Sequence, residues 1–311
     1  MVHYGTHQNQ EVIVLKVEAS DLLKRVRKIE IKTRGLSRQI FAGQYHSAFK
    51  GRGMAFSEVR DYQYGDDIRN IDWNVTARFN QPYVKIFEEE RELTVMVLVD
   101  VSGSRMFGTT NLLKKNLATE IAAVLAFSAI QNNDKIGVLL FSDRIEKFIP
   151  PKKGRTHILH IIRELINFTP QSEGTNLAEA LRYLTNALKK RCTTFILSDF
   201  MDFNPDSVDP RFTSALSIAA NKHDVVAIRI YDPREVELPS IGLMKMRDAE
   251  SGNHAWVDTS DPDLRSAYAQ WWADTEVSLK QTFTRCNVDW VPIATDEDYV
   301  KPLIKLFKQR A

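Results

Sequence analysis

The stretch LTVMVLVDVSGS, from Leu93 to Ser104, decides the fold. Its first part, up to Asp100, is a nearly continuous run of apolar and β-branched residues, which is typical of a strand buried on both faces of a parallel sheet. The run ends in the pattern Asp-x-Ser-x-Ser, formed by Asp100, Ser102 and Ser104. Because ligands bind at the carboxyl ends of the strands in open α/β sheets, this stretch predicts both a fold class and a site.

Further apolar runs follow along the chain, and helical patterns lie between them. Besides residues 93–100, the predicted strands are Lys135 to Phe141, Thr193 to Asp199, Asp224 to Ile230 and Val288 to Ile293. The predicted helices are Asn111 to Asn132, Thr156 to Asn167, Asn176 to Lys190, Arg211 to Asn221, Asp263 to Arg285 and Glu297 to Arg310. This alternation predicts an α/β fold with a doubly wound, mostly parallel sheet that is covered by helices on both faces.

Two regions interrupt the alternation. Near residues 240–260, Ser251-Gly252-Asn253 separates two extended runs, which predicts an inserted β-hairpin. Residues 1–88 are interpreted as an N-terminal extension, with a helix from Ser20 to Lys32 followed by a glycine-spaced, strand-poor stretch. Residues 89–311 would then form the α/β domain.

Length and composition exclude several classes of protein. The chain has 311 residues, of which 43% are hydrophobic and 26% charged, so neither a small disulfide scaffold nor a mostly disordered chain is expected. Its two cysteines, Cys192 and Cys286, form no close-spaced metal motif, which favours a reducing compartment and hence the cytoplasm. The longest apolar stretches fall well short of the ~20 residues that a membrane-spanning helix needs, and no secretory signal is visible.

The charge distribution is uneven along the chain. Overall, 42 Lys and Arg residues face 40 Asp and Glu residues, but residues 1–60 hold eleven basic and five acidic residues. An RNA-binding role through this basic region is therefore a second alternative function. It is disfavoured because no aromatic residues interleave with the basic helix to stack on bases. We expect no nucleic-acid partner.

Polar side chains from three loops converge on one edge of the predicted sheet. Thr175 precedes a helix and Asp199 ends a strand, so both join Asp100, Ser102 and Ser104 at the carboxyl ends of the strands. Two carboxylates and three hydroxyls form the donor set of a small divalent cation, Mg²⁺ first and Mn²⁺ or Ca²⁺ as alternatives. With only two formal negative charges around it, such an ion can take a carboxylate of a partner as its last ligand.

These five residues resemble the metal-ion-dependent adhesion site of von Willebrand factor A domains, and the order of elements over residues 93–311 is similar to that Rossmann-like fold. The resemblance implies that Asp100, Ser102, Ser104 and Thr175 lie in or next to the coordination shell. It implies that Asp199 acts on the ion directly or through water.

A second set of segments resembles the bacterial proteins catalogued as domain of unknown function 58. The matching segments are residues 51–56, 60–62, 64–73, 77–78 and 232–239. One departure is that Arg105 stands between Ser104 and Met106, where the family usually has methionine directly after the second serine. The resemblance implies a partnership with a MoxR-type AAA ATPase, for which the chain would serve client proteins as a non-enzymatic adaptor or assembly factor. The chain has no GxxxxGK[ST] loop of its own.

Several patterns have competing interpretations. A metal-dependent phosphohydrolase using Asp100 and Asp199 is the alternative function, but Ser102 occupies the position where such an enzyme needs an acid. The segment Asp66 to Trp73 is interpreted as a turn in which Asp–Arg pairs lock the extension to the sheet domain and Trp73 anchors the packing, with a partner-docking surface as the alternative. His157 and His160 have the spacing of paired metal ligands, yet lack a third ligand nearby.

Overall fold

The computed structural model describes residues 55–88, 93–106, 113–204, 207–247 and 254–310. The chain divides into two units, one of them running from Lys50 to Leu93. The predicted helix from Ser20 to Lys32 lies outside the described residues, and the domain boundary after residue 88 stays a prediction.

A six-stranded sheet forms the centre of the larger unit. Its strands are β3 (Thr94–Asp100), β4 (Lys135–Phe141), β5 (Ile145–Lys152), β6 (Thr193–Ser198), β7 (Asp224–Tyr231) and β10 (Asp289–Ala294). Their order across the sheet is β10-β7-β6-β3-β4-β5, with every neighbouring pair parallel except β4 and β5. The predicted α/β class with a mostly parallel sheet is therefore confirmed.

Helices connect these strands and cover the sheet. They are α2 (Lys114–Gln131), α3 (Arg155–Asn167), α4 (Leu177–Ala187), α5 (Thr213–Lys222), α6 (Pro233–Val236), α7 (Pro262–Arg285) and α8 (Val300–Arg310). In α4 the buried residues include Leu177, Leu181 and Leu184, the apolar stripe that helical spacing predicts. Helix α2 is buried along most of its length, as its nearly uniform apolar sequence predicts.

The chain reverses its direction of winding beside β3. From β3 it passes to β4 and β5 on one side, and it then returns through α3 and α4 to β6 on the other side. This change creates a crevice at the carboxyl ends of β3 and β6, the place where doubly wound sheets bind their ligands.

The inserted hairpin is present, between α6 and α7. Strands β8 (Leu243–Arg247) and β9 (His254–Asp258) pair in antiparallel register, with Lys245 opposite Trp256. The insertion is thus confirmed. Leu243 and Trp256 are largely exposed on it.

The smaller unit corrects the expectation of a strand-poor segment. Strands β1 (Ala55–Asp61) and β2 (Tyr83–Glu88) pair in antiparallel fashion, and helix α1 (Trp73–Phe79) lies between them in the chain. Alternation in these short strands is interrupted by a bulge between Phe56 and Glu58, which weakens the sequence signal.

The polar residues of this unit stabilise its own turns. Arg60 donates two hydrogen bonds of 2.8 Å to the carboxylate of Asp66, so this Asp–Arg pair stabilises the unit itself, and the lock between the extension and the sheet domain stays a prediction. Asp72 accepts from the Asn74 N–H at 3.0 Å and caps α1. Trp73 is 67% exposed, so it does not pack into the interior of its own unit, and its role as an anchor on the sheet domain stays a prediction.

Two further sequence expectations concern the membrane and the cysteines. Among the described residues, no helix combines the length and apolar character needed to cross a membrane. Cys192 and Cys286 are both buried free thiols, and burial raises the pKa of Cys192 to about 11. Both thiols therefore stay protonated at neutral pH.

Strand β5 pairs with β4 so closely that Gly137, in the middle of β4, has no room for a side chain. A Cβ atom at this position would lie 2.8 Å from the Ile149 carbonyl oxygen and 2.9 Å from the Pro151 nitrogen. Both atoms belong to the backbone, so only a shift of the strand relieves the contact.

We expect Gly137→Ala to lower the free energy of unfolding by about 1–3 kcal/mol, because overpacking in a rigid core forces the backbone to move. Urea denaturation measures the change. Gly174→Ala is the control, since its Cβ would meet only ordinary van der Waals neighbours, 3.4 Å away at the closest. If both variants lose the same free energy of unfolding, contact with the β5 backbone does not explain the effect at Gly137.

Candidate metal site

Asp100, the last residue of β3, is fixed through both of its carboxylate oxygens. Oδ1 accepts a hydrogen bond from the Ser102 backbone N–H at 2.9 Å. Oδ2 accepts from the Ser198 hydroxyl at 2.6 Å, which joins the carboxyl ends of β3 and β6. Asp100 is buried, and each oxygen has a further lone pair available for another partner.

The serine hydroxyls lie beside this carboxylate. Ser102 is fully buried, and its Oγ is 3.2 Å from the Oγ of Ser104. The backbone from Gly103 to Met106 forms a 3₁₀ turn, so this turn also contains the inserted Arg105. Ser104 lies close enough to Asp199 to lower the pKa of that carboxyl. The structure therefore brings Asp100, Ser102, Ser104 and Asp199 into one connected cluster.

Asp199 follows β6 directly and is also buried. Its Oδ2 accepts a hydrogen bond of 3.1 Å from the Nζ of Lys114, the first residue of α2. Its Oδ1 accepts from the Met201 backbone N–H at 3.2 Å. The same Lys114 Nζ lies 2.5 Å from Oε1 of Glu235. A buried ammonium group thus bridges two carboxylates at the edge of the site.

The turn after Asp199 has an unusual backbone conformation. Phe200 adopts a φ of 59°, which non-glycine residues seldom take. Its N–H donates to the Ser198 hydroxyl at 3.0 Å, and its fully buried ring packs against Phe212 and Phe283. This packing stabilises the strained conformation that places Asp199 beside Asp100.

The two carboxylates have opposite pKa shifts. Burial and the nearby charge of Asp199 raise the pKa of Asp100 to about 6. Burial acts in the same sense on Asp199, but the charge of the Lys114 ammonium, the nearby Ser104 hydroxyl and the hydrogen bonds from Lys114 and the Met201 N–H together outweigh burial and lower the pKa of Asp199. The Lys114 cation therefore keeps one carboxylate ionised inside a largely dehydrated crevice.

Thr175 lies in the loop before α4, and this loop is attached to the neighbouring loops by its backbone. The Gly103 N–H donates to the Glu173 carbonyl at 2.8 Å, and the Asn176 N–H donates to the Ser142 carbonyl at 2.9 Å. Asp202 accepts from the Leu177 N–H at 3.1 Å and so fixes the start of the helix. These bonds connect the Thr175 loop directly to the turn that carries Ser102 and Ser104.

The Thr175 hydroxyl is available as a donor to a further group. Its Oγ1 is buried and has no hydrogen-bond partner among the residues that the structure describes. Buried hydroxyls without partners are rare, and those in native proteins usually contact an ion or a water molecule.

A small cavity lies beside the two carboxylates. It has a volume of about 20 Å³ and is lined by polar and apolar residues, namely Asp100, Ser104, Lys114, Ser198, Asp199, Ala118, Leu197 and Ile230. This volume suits one body of roughly the size of a water molecule. The cavity therefore has room for one small cation beside Asp100, Ser104 and Asp199, whereas Ser102 and Thr175 are not among its lining residues. Over the described ranges, no group of three or more His, Cys, Asp and Glu residues could hold a metal by itself, so a cation at this edge of the sheet would need hydroxyl ligands as well.

Three residues in the hydrogen-bond and ion-pair network around the two carboxylates are not indicated as site residues by any sequence motif. Lys114 begins a helix, where a lysine is usually solvated, and Glu235 lies in the Asp-Pro-Arg-Glu segment that only the family resemblance singled out. Ser198 precedes Asp199 at the end of a strand that is buried throughout, and nothing in the sequence indicates its bond to Asp100.

The two histidines of the pair have separate contacts. His157 Nε2 lies 2.9 Å from the Ile136 carbonyl oxygen, so this ring is used in packing against β4. His160 is near Glu164, with 3.7 Å between Nδ1 and Oε1. The interpretation of these histidines as packed or solvated residues is consistent with both contacts.

We expect Ser198→Ala to lower the free energy of unfolding at pH 7 by about 1–3 kcal/mol, since it removes a hydrogen bond to a buried carboxylate. Chemical denaturation in EDTA measures this change without a metal contribution. Ser128→Ala is the matched control, because the buried Ser128 hydroxyl has no hydrogen-bond partner in the described part of the chain. If Ser198→Ala lowers the free energy of unfolding no more than Ser128→Ala does, the Ser198 hydrogen bond contributes little to stability.

The chain is similar in sequence to a family of proteins of unknown function. Residues 58–278 match the family model described as protein of unknown function DUF58. Uncharacterized protein Mb1516 of Mycobacterium bovis and uncharacterized protein Rv1480 of Mycobacterium tuberculosis are each 29% identical over 296 residues, covering 94% of this chain and 91% of theirs.

Solved structures provide a weaker comparison. BatB from Bacteroides thetaiotaomicron is similar with a TM-score of 0.46 and 16% identity, over 70% of this chain and 98% of that one. The SpRpn10 VWA domain has a TM-score of 0.37 and 12% identity, over 70% and 94% of the two chains. At these TM-scores the likeness carries no argument about what the chain does.

Proposed function

Since this chain belongs to the family described as protein of unknown function DUF58, we propose the function that its site supports best, a non-enzymatic module that binds other proteins through a divalent cation. One observation carries the proposal. Asp100, Ser104 and Asp199 line one small cavity, and the Oγ atoms of Ser102 and Ser104 lie 3.2 Å apart. The loop that is bonded to the serine turn carries Thr175, whose buried hydroxyl has no partner in the described residues. When bound, Mg²⁺ would supply a positive centre that attracts an anionic group, and Mn²⁺ or Ca²⁺ could replace it.

The geometry of the site supports binding rather than hydrolysis. A phosphohydrolase that uses Asp100 as its nucleophile needs an acid placed to protonate the leaving group. The residue two positions on is Ser102, whose buried hydroxyl is engaged with Ser104. Asp199, the other carboxylate, is paired with Lys114 and has a lowered pKa, so it is a poor proton donor.

The expected partner follows from the chemistry of an incompletely ligated cation. Hydroxyls and two carboxylates leave a small dication with room for a further anionic ligand, which a Glu or Asp of a partner protein can supply. From the sequence resemblance, we propose a MoxR-type AAA ATPase as this partner, with the chain presenting client proteins as an adaptor or assembly factor. A cytoplasmic location belongs to the same proposal.

We expect Asp100→Ala to weaken Mg²⁺ binding at least tenfold, because it removes one of the two carboxylates that offset the charge of the ion. Isothermal titration calorimetry on the full chain measures the affinity. Asp143→Ala is the control, since it removes a more exposed carboxylate from the loop after β4. Mg²⁺ affinity that is unchanged in Asp100→Ala would place the metal elsewhere or exclude it.

We expect a MoxR-type ATPase captured by the immobilised chain to be released by EDTA, because the cation contributes directly to the contact. Capture should also fail for the variant that combines Ser102→Ala and Ser104→Ala, and should persist for Asp143→Ala. Interferometry with and without chelator measures the affinity. Equal binding in all conditions would mean that the partner docks elsewhere, and the segment Asp66 to Trp73 would be the next surface to test.

A further inference from the structure

Lys114 has a position that helix formation does not explain. It is the first residue of α2, where a positive charge is unfavourable because the helix dipole is itself positive at that end. Its side chain is only 5% exposed, so its ammonium group has lost nearly all of its hydration. The two carboxylates that flank it, Asp199 and Glu235, compensate for this cost.

Glu235, the second carboxylate at the Lys114 ammonium, is fixed by several hydrogen bonds. Its Oε2 accepts the Asp232 N–H at 3.0 Å in the capping box of α6, while its Oε1 contacts Lys114. The Tyr268 hydroxyl donates to the Glu235 carbonyl at 2.7 Å. Asp232 is fully buried and accepts from the Thr295 hydroxyl at 2.8 Å. Lys114 is therefore anchored at Glu235 by contacts from α6, α7 and the end of β10.

Asp199 is held less tightly by the same ammonium group. The Nζ to oxygen distance is 3.1 Å at Asp199, compared with 2.5 Å at Glu235. Lys114 and Asp199 also both line the cavity of about 20 Å³ that the proposed cation would use. A cation in that cavity and the Lys114 ammonium would share the charge of one carboxylate.

We propose that Lys114 determines the cation affinity of this site, because its ammonium competes with a divalent ion for Asp199. This inference rests on the proposed function and deepens it. Lys114 stabilises the metal-free state by neutralising Asp199, and it repels an ion that enters the cavity. Glu235 opposes this competition, because it attracts the same Lys114 ammonium and so weakens the hold of that ammonium on Asp199. Lys114 and Glu235 thus act on the affinity in opposite directions.

Two substitutions separate these roles. Lys114→Met keeps the length of the side chain and removes its charge, so Mg²⁺ should bind about tenfold more tightly than to the wild-type chain, or tighter still. Glu235→Gln leaves Asp199 as the main counter-charge of Lys114, so Mg²⁺ should bind more weakly. Lys115→Met is the matched control, because it removes the same charge from the adjacent residue, and it should change the affinity less than threefold.

Isothermal titration calorimetry measures the three affinities, and thermal unfolding provides an independent readout. In EDTA, Lys114→Met should unfold at a lower temperature than the wild-type chain, because two buried carboxylates lose their cation. Addition of Mg²⁺ should raise the unfolding temperature of Lys114→Met more than that of the wild-type chain.

The outcomes distinguish this inference from the proposed function. If neither the wild-type chain nor Lys114→Met binds Mg²⁺, both fail. If only Lys114→Met binds, the competition is supported while the proposed function of the native chain is contradicted. If the wild-type chain binds and Lys114→Met binds equally or more weakly, the inference is overturned and the proposed function stands. If Lys114→Met does not fold, the Mg²⁺ affinity of Glu235→Gln tests the inference instead. A Glu235→Gln variant that binds Mg²⁺ as tightly as the wild-type chain, or more tightly, overturns the inference.

Discussion

The burial of two carboxylates at the ends of adjacent strands is the constraint on which the rest of this structure depends. Asp100 and Asp199 are both nearly inaccessible to solvent, and each raises the cost of ionising the other. Most of the surrounding features reduce this cost. The Ser102 N–H and the Ser198 hydroxyl bind one carboxylate, while Lys114 binds the other. The crevice created by the winding of the sheet is thus also a site of concentrated negative charge.

The ammonium of Lys114 connects parts of the chain that lie far apart in sequence. Through Asp199 it joins the start of α2 to the end of β6, and through Glu235 it joins both to α6. A buried ion pair of this kind adds little net stability compared with apolar residues, but removal of one partner costs about 3–5 kcal/mol. The site and the framework around it therefore depend on the same charges.

The elements that could be predicted from the sequence are those with one dominant pattern. The apolar run of residues 93–100 and the leucine stripe of α4 indicate a buried strand and a sheet-facing helix, and both are present. Strand β5 was missed because Pro150 and Pro151 argue against a strand. Asp100, Ser102, Ser104 and Asp199 come together because topology alone brings strand ends to one edge. Lys114 and Glu235 could not be found in this way, because their pairing depends on side-chain packing between distant segments.

Proline residues at both margins of the sheet have a consequence for the behaviour of the protein at high concentration. The outermost strands in the sheet order are β5 and β10, and they contain Pro150-Pro151 and Pro292. Proline has no N–H to donate, and proline in an edge strand is one of the devices by which proteins limit pairing with a strand of another molecule. We therefore expect the sheet of the described residues to resist edge-to-edge association, even though its central strands are among the most apolar segments of the chain.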